Sequence, residues 1–171
     1  AECDTARAAP CFTARDALPL DVRDDAGVRA LIANLPRLDV LVNCAGTIRR
    51  GVEHDPAEFE QTIAINLTGV ARCCAHAPSK LAAGKGAIVN IASMYSFFGA
   101  PHAPGYASSK GGVVQLTKSL ACAYAAEGIR VNAVAPGWIQ TPLTQPVWSD
   151  PARSAPILAR TWYQSTLRVA T

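Results

Sequence analysis

The sequence predicts an α/β fold built on a parallel sheet, and three observations point there. Short apolar runs alternate along the chain with longer segments of helical period. The runs lack the in–out alternation of a strand with one wet face, so both faces are expected to be buried. Each run also stops at small or polar residues, at Asn43-Cys44-Ala45-Gly46, Ala92-Ser93 and Pro136-Gly137, which read as strand-to-helix turns.

Each element follows in order. Residues 1–17 are rich in Ala, Cys and Arg and show no period. Residues 17–22 read as a short strand ending at Asp21, and 24–35 as a helix with a stripe through Val28, Leu31, Ile32 and Leu35. A short buried strand at 38–42 stops at Asn43. A long helical pattern covers 57–81, with Asp55-Pro56 as its start signal. Residues 86–91 form a strand ending at Ala92-Ser93, and 106–127 a helix rich in Ala, Ser and Gly. Residues 129–134 form a third clear strand. In an open parallel sheet, ligands sit beyond the carboxyl ends of the strands. That rule selects Asp21, residues 43–46, Ser93 and Pro136-Gly137 before any chemistry is considered. There are no repeats, and a length of 171 residues fits a single domain, 1–171.

Bulk properties exclude several classes. Half of the residues are hydrophobic and 17% are charged, enough to bury a core and too apolar for disorder. The net charge of +3 is spread thinly, its densest basic pair being Arg49-Arg50, which argues against nucleic acid as a partner. No signal-peptide pattern and no long apolar run occurs, so the expectation is a cytoplasmic protein with no membrane partner. The cysteines at 3, 11, 44, 73, 74 and 122 show no metal-ligand spacing. They are expected to be small buried hydrophobes in a reducing compartment, with Cys73 and Cys74 pointing to different sides of their element, and no metal site is expected.

Tyr106-Ala107-Ser108-Ser109-Lys110 is the motif richest in chemistry. On a helix, positions four apart share a face, so phenol and ammonium address one place. A free tyrosine titrates near ~10, and a cation within about 4–6 Å can lower that value by roughly 1–3 units, making proton exchange with an alcohol feasible. Ser93, at a strand mouth, can donate to a substrate oxygen on which charge develops. Asn66, flanked by Ile65 and Leu67 inside the long helix, needs a partner if buried, and a water can be that partner.

In this order and spacing, Asn43-Cys44-Ala45-Gly46, Asn66, Ser93, Tyr106-x-x-x-Lys110 and Pro136-Gly137 resemble the short-chain dehydrogenase/reductase family, over residues 18–145. The resemblance implies a Rossmann-type sheet with helices on both faces and an NAD- or NADP-dependent exchange of hydride between an alcohol and a ketone. It implies Tyr106 as general acid/base, Ser93 orienting the substrate oxygen and Lys110 holding the nicotinamide ribose while depressing the tyrosine pKa. Asn66 would fix a water in a proton relay ending at Lys110. Asp21 and Val22 match adenine contacts, and Asn43, Ala45 and Gly46 match the turn lining the adenosine ribose. Pro136, Gly137, Ile139 and Thr141 match the nicotinamide end and a nearby phosphate contact. Cys44 departs from the family's second Asn, at a position that stabilises the turn more than it touches cofactor.

Larger departures stand at the two ends. No T-G-x-x-x-G-x-G occurs, so the first βαβ unit, with the helix end that holds a pyrophosphate, is expected to be lacking. From Trp162 onward nothing resembles the family, and the last strand is expected to be lacking too. The chain therefore reads like a truncated or frame-shifted product with weak dinucleotide affinity. The alternative to an enzyme is a non-catalytic remnant keeping the fold core and its oligomer contacts.

Substrate and assembly are expected from the same resemblance. Thr47-Ile48-Arg49-Arg50 and residues 92–99 look like the sugar-acid branch, such as gluconate 5-dehydrogenase and 2-deoxygluconate 3-dehydrogenase. An arginine there could pair a carboxylate, or the pair could simply be solvated. Surplus apolar residues on the helices at 57–81 and 106–127 (Val70, Ala71, Val113, Val114, Leu116, Leu120 and Ala121) suggest a homodimer or homotetramer.

Overall fold

The computed structural model describes residues 17–141 and 144–159 and the short strand Leu167–Arg168. Cys3, Cys11, the aperiodic opening and most of the run after Ala159 lie outside the described residues. The chain divides into two compact units, one centred on Pro19–Ala135 and one that includes Pro136–Thr171.

In the first unit the order is α1 (Asp25–Asn34), β1 (Val40–Asn43), α2 (Pro56–Ile63), α3 (Gly69–His76), α4 (Pro78–Ala82), β2 (Ala87–Ile91), α5 (Pro104–Ala123) and β3 (Arg130–Val134). The strands form one parallel sheet in the order β1-β2-β3, with Val40 opposite Ala87 and Ala87 opposite Arg130. Parallel strands put every carboxyl end on one edge, so Asn43, Ser93 and Ala135 all lie toward the same side. The expected Rossmann-type α/β class is what the chain adopts.

The core explains the register. Leu81, Ile88 and Val113 have no exposed surface and pack with Val70, Cys74 and Val131 between the sheet and α3 to α5. Burying each such side chain is worth about 1.5–3 kcal/mol. Cys73 turns instead to Val28 and Ile32 of α1. The adjacent cysteines therefore do face different clusters. Two close approaches need glycine: a Cβ on Gly69 would lie 2.7 Å from the Val22 side chain, and one on Gly112 would lie 2.7 Å from Leu67.

Several elements differ from expectation. Residues 17–22 are not a strand; they lead through a turn at Val22-Arg23 into α1. An extended segment becomes a strand only with a ladder partner, and Leu18 stands 62% exposed. The strand expected at 38–42 is Val40–Asn43 and is half wet, with Val40 and Val42 about half exposed, as is Val134 on β3. These three share the sheet face opposite Leu41, Ile88 and Val131, so burial on both faces holds best for the central β2. The long helix expected at 57–81 begins at Pro56 and passes through a π-helical turn, Ala64–Thr68, before stopping at His76. Pro78 then starts α4: it has no N–H to give the Cys74 carbonyl four residues back, which accepts from the Tyr124 hydroxyl instead. The helix expected at 106–127 starts two residues early, at Pro104, and ends at Ala123 before a 3₁₀ turn, Ala125–Glu127. Cys44 and Cys122 are exposed, contrary to the reading of all cysteines as buried.

The second unit is described by itself. In it β4 (Ile139–Gln140) pairs in parallel with β5 (Leu167–Arg168), and α6 (Gln145–Trp148) leads to α7 (Pro151–Ala159). Thr144 ties this turn together. Its hydroxyl donates to the Ile139 carbonyl at 2.6 Å, and it accepts from the Thr141 N–H and from Trp148 Nε1.

Candidate active site

The site assembles at the carboxyl edge of the sheet in the first unit. Ser93 follows β2, with its backbone extended and its side chain half of a capping box: its Oγ accepts from the Tyr95 N–H, and its own N–H donates to Ser96 Oγ. Ser96 Oγ in turn donates to the Lys110 carbonyl at 2.8 Å, so the serine turn and α5 are locked together. The Ser93 hydroxyl faces the Tyr106 phenol. Lys110 is buried, its Nζ donating to the Ile91 carbonyl at 2.6 Å and lying 5.7 Å from the centre of the Tyr106 ring. Ser93, Tyr106 and Lys110, predicted from motif spacing, are thus brought to one place.

Electrostatics at this place differ from the sequence expectation. Burial drives the Tyr106 phenol above its ordinary range, Tyr95 and Glu53 add to the rise, and the Ser93 hydrogen bond and the Arg50 charge oppose it. The Lys110 ammonium lies over the ring face and gives one of its three donors to the Ile91 carbonyl. Burial instead pulls Lys110 itself down to about 8, against a small upward pull from Cys44. Arg50 is a cation that favours phenolate here.

Asn66, expected to need a partner if buried, has several. It is fully buried in the π turn, but protein groups satisfy its side chain. Its Oδ1 accepts from the Thr47 N–H at 2.8 Å, and its Nδ2 donates to the Thr47 carbonyl and to Ser109 Oγ. Both Nδ2 donors are thereby used, and Oδ1 keeps a second lone pair for the expected water.

The cofactor candidates fall into three groups. Gly46 borders Lys110 and Asn66 directly, since a Cβ there would lie 3.7 Å from Lys110 Nζ and 3.5 Å from Asn66 Oδ1. Ala45 is beside it in the same turn. Asn43 turns inward and donates to Asn90 Oδ1 at 2.8 Å, so its side chain does not line the edge. The Asp21 carboxylate is exposed but engaged with Arg23, which holds it down at about 2. Val22 packs against Gly69. Pro136, Gly137, Ile139 and Thr141 belong to the second unit; Gly137 is exposed and Thr141 is held by Thr144.

Two buried residues that sequence reasoning passed over stand beside the tyrosine. Glu53, 1% exposed, accepts from the Arg49 N–H at 2.6 Å and from the Tyr106 N–H at 2.7 Å. Ser109 donates to the Tyr106 carbonyl at 2.7 Å. Glu53 sits in Glu53-His54-Asp55, which looks like an ordinary wet turn. Only its wide separation from Tyr106 along the chain, closed by the fold, reveals it. Ser109 lay within the quoted motif, one turn of helix from Tyr106.

A parallel sheet with a serine at one strand mouth and a Tyr-x-x-x-Lys helix beside it defines a class of nicotinamide oxidoreductases. Residues 2–170 match the family profile described as enoyl-(acyl carrier protein) reductase, and the chain belongs to the short-chain dehydrogenase/reductase family. It is similar to the 2-(R)-hydroxypropyl-CoM dehydrogenase of Xanthobacter autotrophicus, 45% identical over 82% of this chain and 60% of the relative. It is 38% identical to the 2-dehydro-3-deoxy-D-gluconate 5-dehydrogenase of Pseudoalteromonas atlantica, over 87% of this chain and 58% of that one. Among solved structures it resembles a gluconate 5-dehydrogenase from Burkholderia cenocepacia in complex with NADP and tartrate. That match has a TM-score of 0.82 at 33% identity, covering 88% of this chain and 62% of the other. The chain spans about 60% of the length of these curated relatives. No helix among the described residues is long and apolar enough to cross a membrane.

Proposed function

We propose that the chain carries the catalytic part of an NAD- or NADP-dependent dehydrogenase that interconverts a hydroxyl and a ketone on a small hydroxy acid. The observation that supports this most is the convergence of Ser93, Tyr106 and Lys110 with the Arg50 charge on the phenol. When bound, the nicotinamide accepts or returns the hydride. Buried Lys110 beside side-chain-free Gly46 offers donors to a ribose, so this edge fits the nicotinamide half of the cofactor. Tyr106 takes the hydroxyl proton in oxidation and returns it in reduction. Ser93 donates to the same oxygen and holds it against the phenol. Asn66 keeps the Thr47 loop in register, and its remaining Oδ1 lone pair holds a water in a proton relay ending at Lys110. Asp21, Val22, Asn43, Ala45 and Gly46 would border the adenosine, Asn43 through its backbone. On the family resemblance, Pro136, Gly137, Ile139 and Thr141 are cofactor residues as well, for the nicotinamide end.

Arg50 favours an acid as substrate. Arg49 already pairs with Glu58 and donates to Gln61 Oε1 at 2.9 Å, whereas Arg50 makes no ion pair among the described residues. Tartrate in the similar Burkholderia structure is itself a hydroxy acid. A homodimer or homotetramer belongs to the same reading, on family resemblance. The helix pattern supports it less than expected, because Val70 and Val113 are buried and Val114, Leu116, Leu120 and Ala121 pack against the same core. The free thiols at 44, 73, 74 and 122 suit a reducing, cytoplasmic setting.

The test is steady-state oxidation of sugar acids by the Arg49→Ala and Arg50→Ala variants. Arg50→Ala is expected to raise KM at least tenfold for an acid but not for the matching neutral polyol, since a charged hydrogen bond is worth about 1.5–3 kcal/mol. An unchanged KM in Arg50→Ala would remove the acid as substrate class.

A further inference from the structure

We propose that Glu53 is a positioning residue for Tyr106, fastening the Arg49-Arg50 loop and the start of α5 into one unit. The role rests on the oxidoreductase reading above, but its geometry does not. Glu53 is a carboxylate with 1% exposure and no salt-bridge partner among the described residues. Both of its oxygens accept from backbone N–H groups: Oε1 from Arg49 at 2.6 Å and Oε2 from Tyr106 at 2.7 Å. Only a carboxylate presents two acceptors without a donor, so the pair of N–H groups selects Glu over Gln. Gly105 leaves the opening, since a Cβ there would stand 3.2 Å from Glu53 Oε2.

Burying an anion is costly unless it is fully hydrogen-bonded, and the α5 start could be capped from the surface by a wet Ser or Asp at far smaller cost. What burial adds is rigidity at a chosen residue. Tyr106 is held at both of its peptide groups: the N–H by Glu53, the carbonyl by Ser109. Each holder runs back to the same loop, Glu53 to the Arg49 N–H and Ser109 through Asn66 to Thr47. Two buried relays thus join residues 47–49 to the tyrosine, and Arg50 is the next residue along.

The groups that face the phenol are Ser93, Arg50, Tyr95, Glu53 and Lys110, from the serine turn, the β1 loop and α5 itself. Removing the Glu53 charge therefore removes one influence that keeps the phenol protonated, with the others left in place.

The experiment is NMR on protein carrying ¹⁵N-arginine, ¹⁵N-tyrosine and ¹³Cζ-tyrosine, so no turnover is needed. In the unaltered protein the Arg49 and Tyr106 amides should exchange at least ~tenfold more slowly than the Arg50 amide, the worth of one charge-assisted bond. In Glu53→Gln, one of those two amides should lose that protection, because the amide NH₂ must face an N–H. The Tyr106 titration should move to lower pH while Tyr124, bonded to the Cys74 carbonyl, stays where it was. Glu53→Asp should keep the Tyr106 titration and lose one amide bond through its shorter arm. A role in folding alone would loosen Tyr106 and Tyr124 together. If Glu53→Gln does not fold, the unaltered protein still decides: an Arg49 amide exchanging as fast as Arg50 overturns the proposal. A folded Glu53→Gln with both amides and the phenol unchanged overturns it as well. Absence of hydroxy-acid turnover would strike the proposed function and leave these readouts standing.

Discussion

Lys110 shows how much a single buried side chain can set. Its ammonium loses water on burial and recovers only the Ile91 carbonyl, so its pKa falls to about 8. An unfolded lysine stays protonated to near ~10.4. Between those values the unfolded chain binds more protons, so stability rises with pH from about 8 toward 10.5, and the burial penalty applies in full below 8. The gain across that window is at most about 3 kcal/mol, one unit being about 1.4 kcal/mol. The Cys44, Cys73 and Cys74 thiols, raised above the ordinary thiol range, act in the opposite sense over the same window. In urea melts from pH 7 to 10, Lys110→Met is therefore expected to lose stability more steeply with pH than the unaltered protein. A Lys110→Met curve parallel to that of the unaltered protein would mean that Lys110 is not the group titrating. At this scale the sequence was legible where spacing carries direction. Four residues along a helix put Tyr106 and Lys110 on one face, whatever else the fold does. Asn43, Asn66 and Glu53 were not legible, because which way a strand-end or loop side chain turns depends on the neighbouring strand and helix. Asn90 draws Asn43 inward, Thr47 occupies Asn66, and the Arg49 and Tyr106 amides bury Glu53.

Among the elements, helix starts were clearer than helix interiors. Asp55-Pro56 marks the start of α2, and the Asp55 carboxylate accepts from the Ala57 and Glu58 N–H groups. Asp55→Ala is therefore expected to cost about 1 kcal/mol, read as a shift of the urea midpoint with an unchanged slope. No measurable shift would show that the cap does not hold this helix. The π turn beyond it left no mark in the periodicity, since one extra residue per turn hardly alters an apolar stripe. Strands β2 and β3 were found within a residue because their apolar runs meet helices. The segment 17–22 has the same composition as a strand, but nothing in composition supplies a ladder partner.

The molecule as a whole presents an apolar sheet face, with Val40, Val42 and Val134 each about half exposed. Exposed β-branched residues on one sheet face favour association. Val40→Lys with Val42→Lys is expected to raise the solubility of this chain while leaving its circular dichroism and melting midpoint nearly unchanged. A large loss of stability would mean that the face is covered in solution. The class of fold was legible because the alternation of apolar runs and helices survives every local departure. The half-wet face was not, because a valine in a strand looks alike whether or not something lies over it. The central claim is that Tyr106 exchanges the proton while Ser93, Lys110 and Arg50 set its environment. It is tested most directly by following reduced nicotinamide absorbance with a sugar acid, in the unaltered protein and in Tyr106→Phe. Phe keeps the ring and loses only the hydroxyl, so kcat is expected to fall by roughly 10²–10⁴ with cofactor binding retained. Turnover by Tyr106→Phe at the unaltered rate would contradict the account.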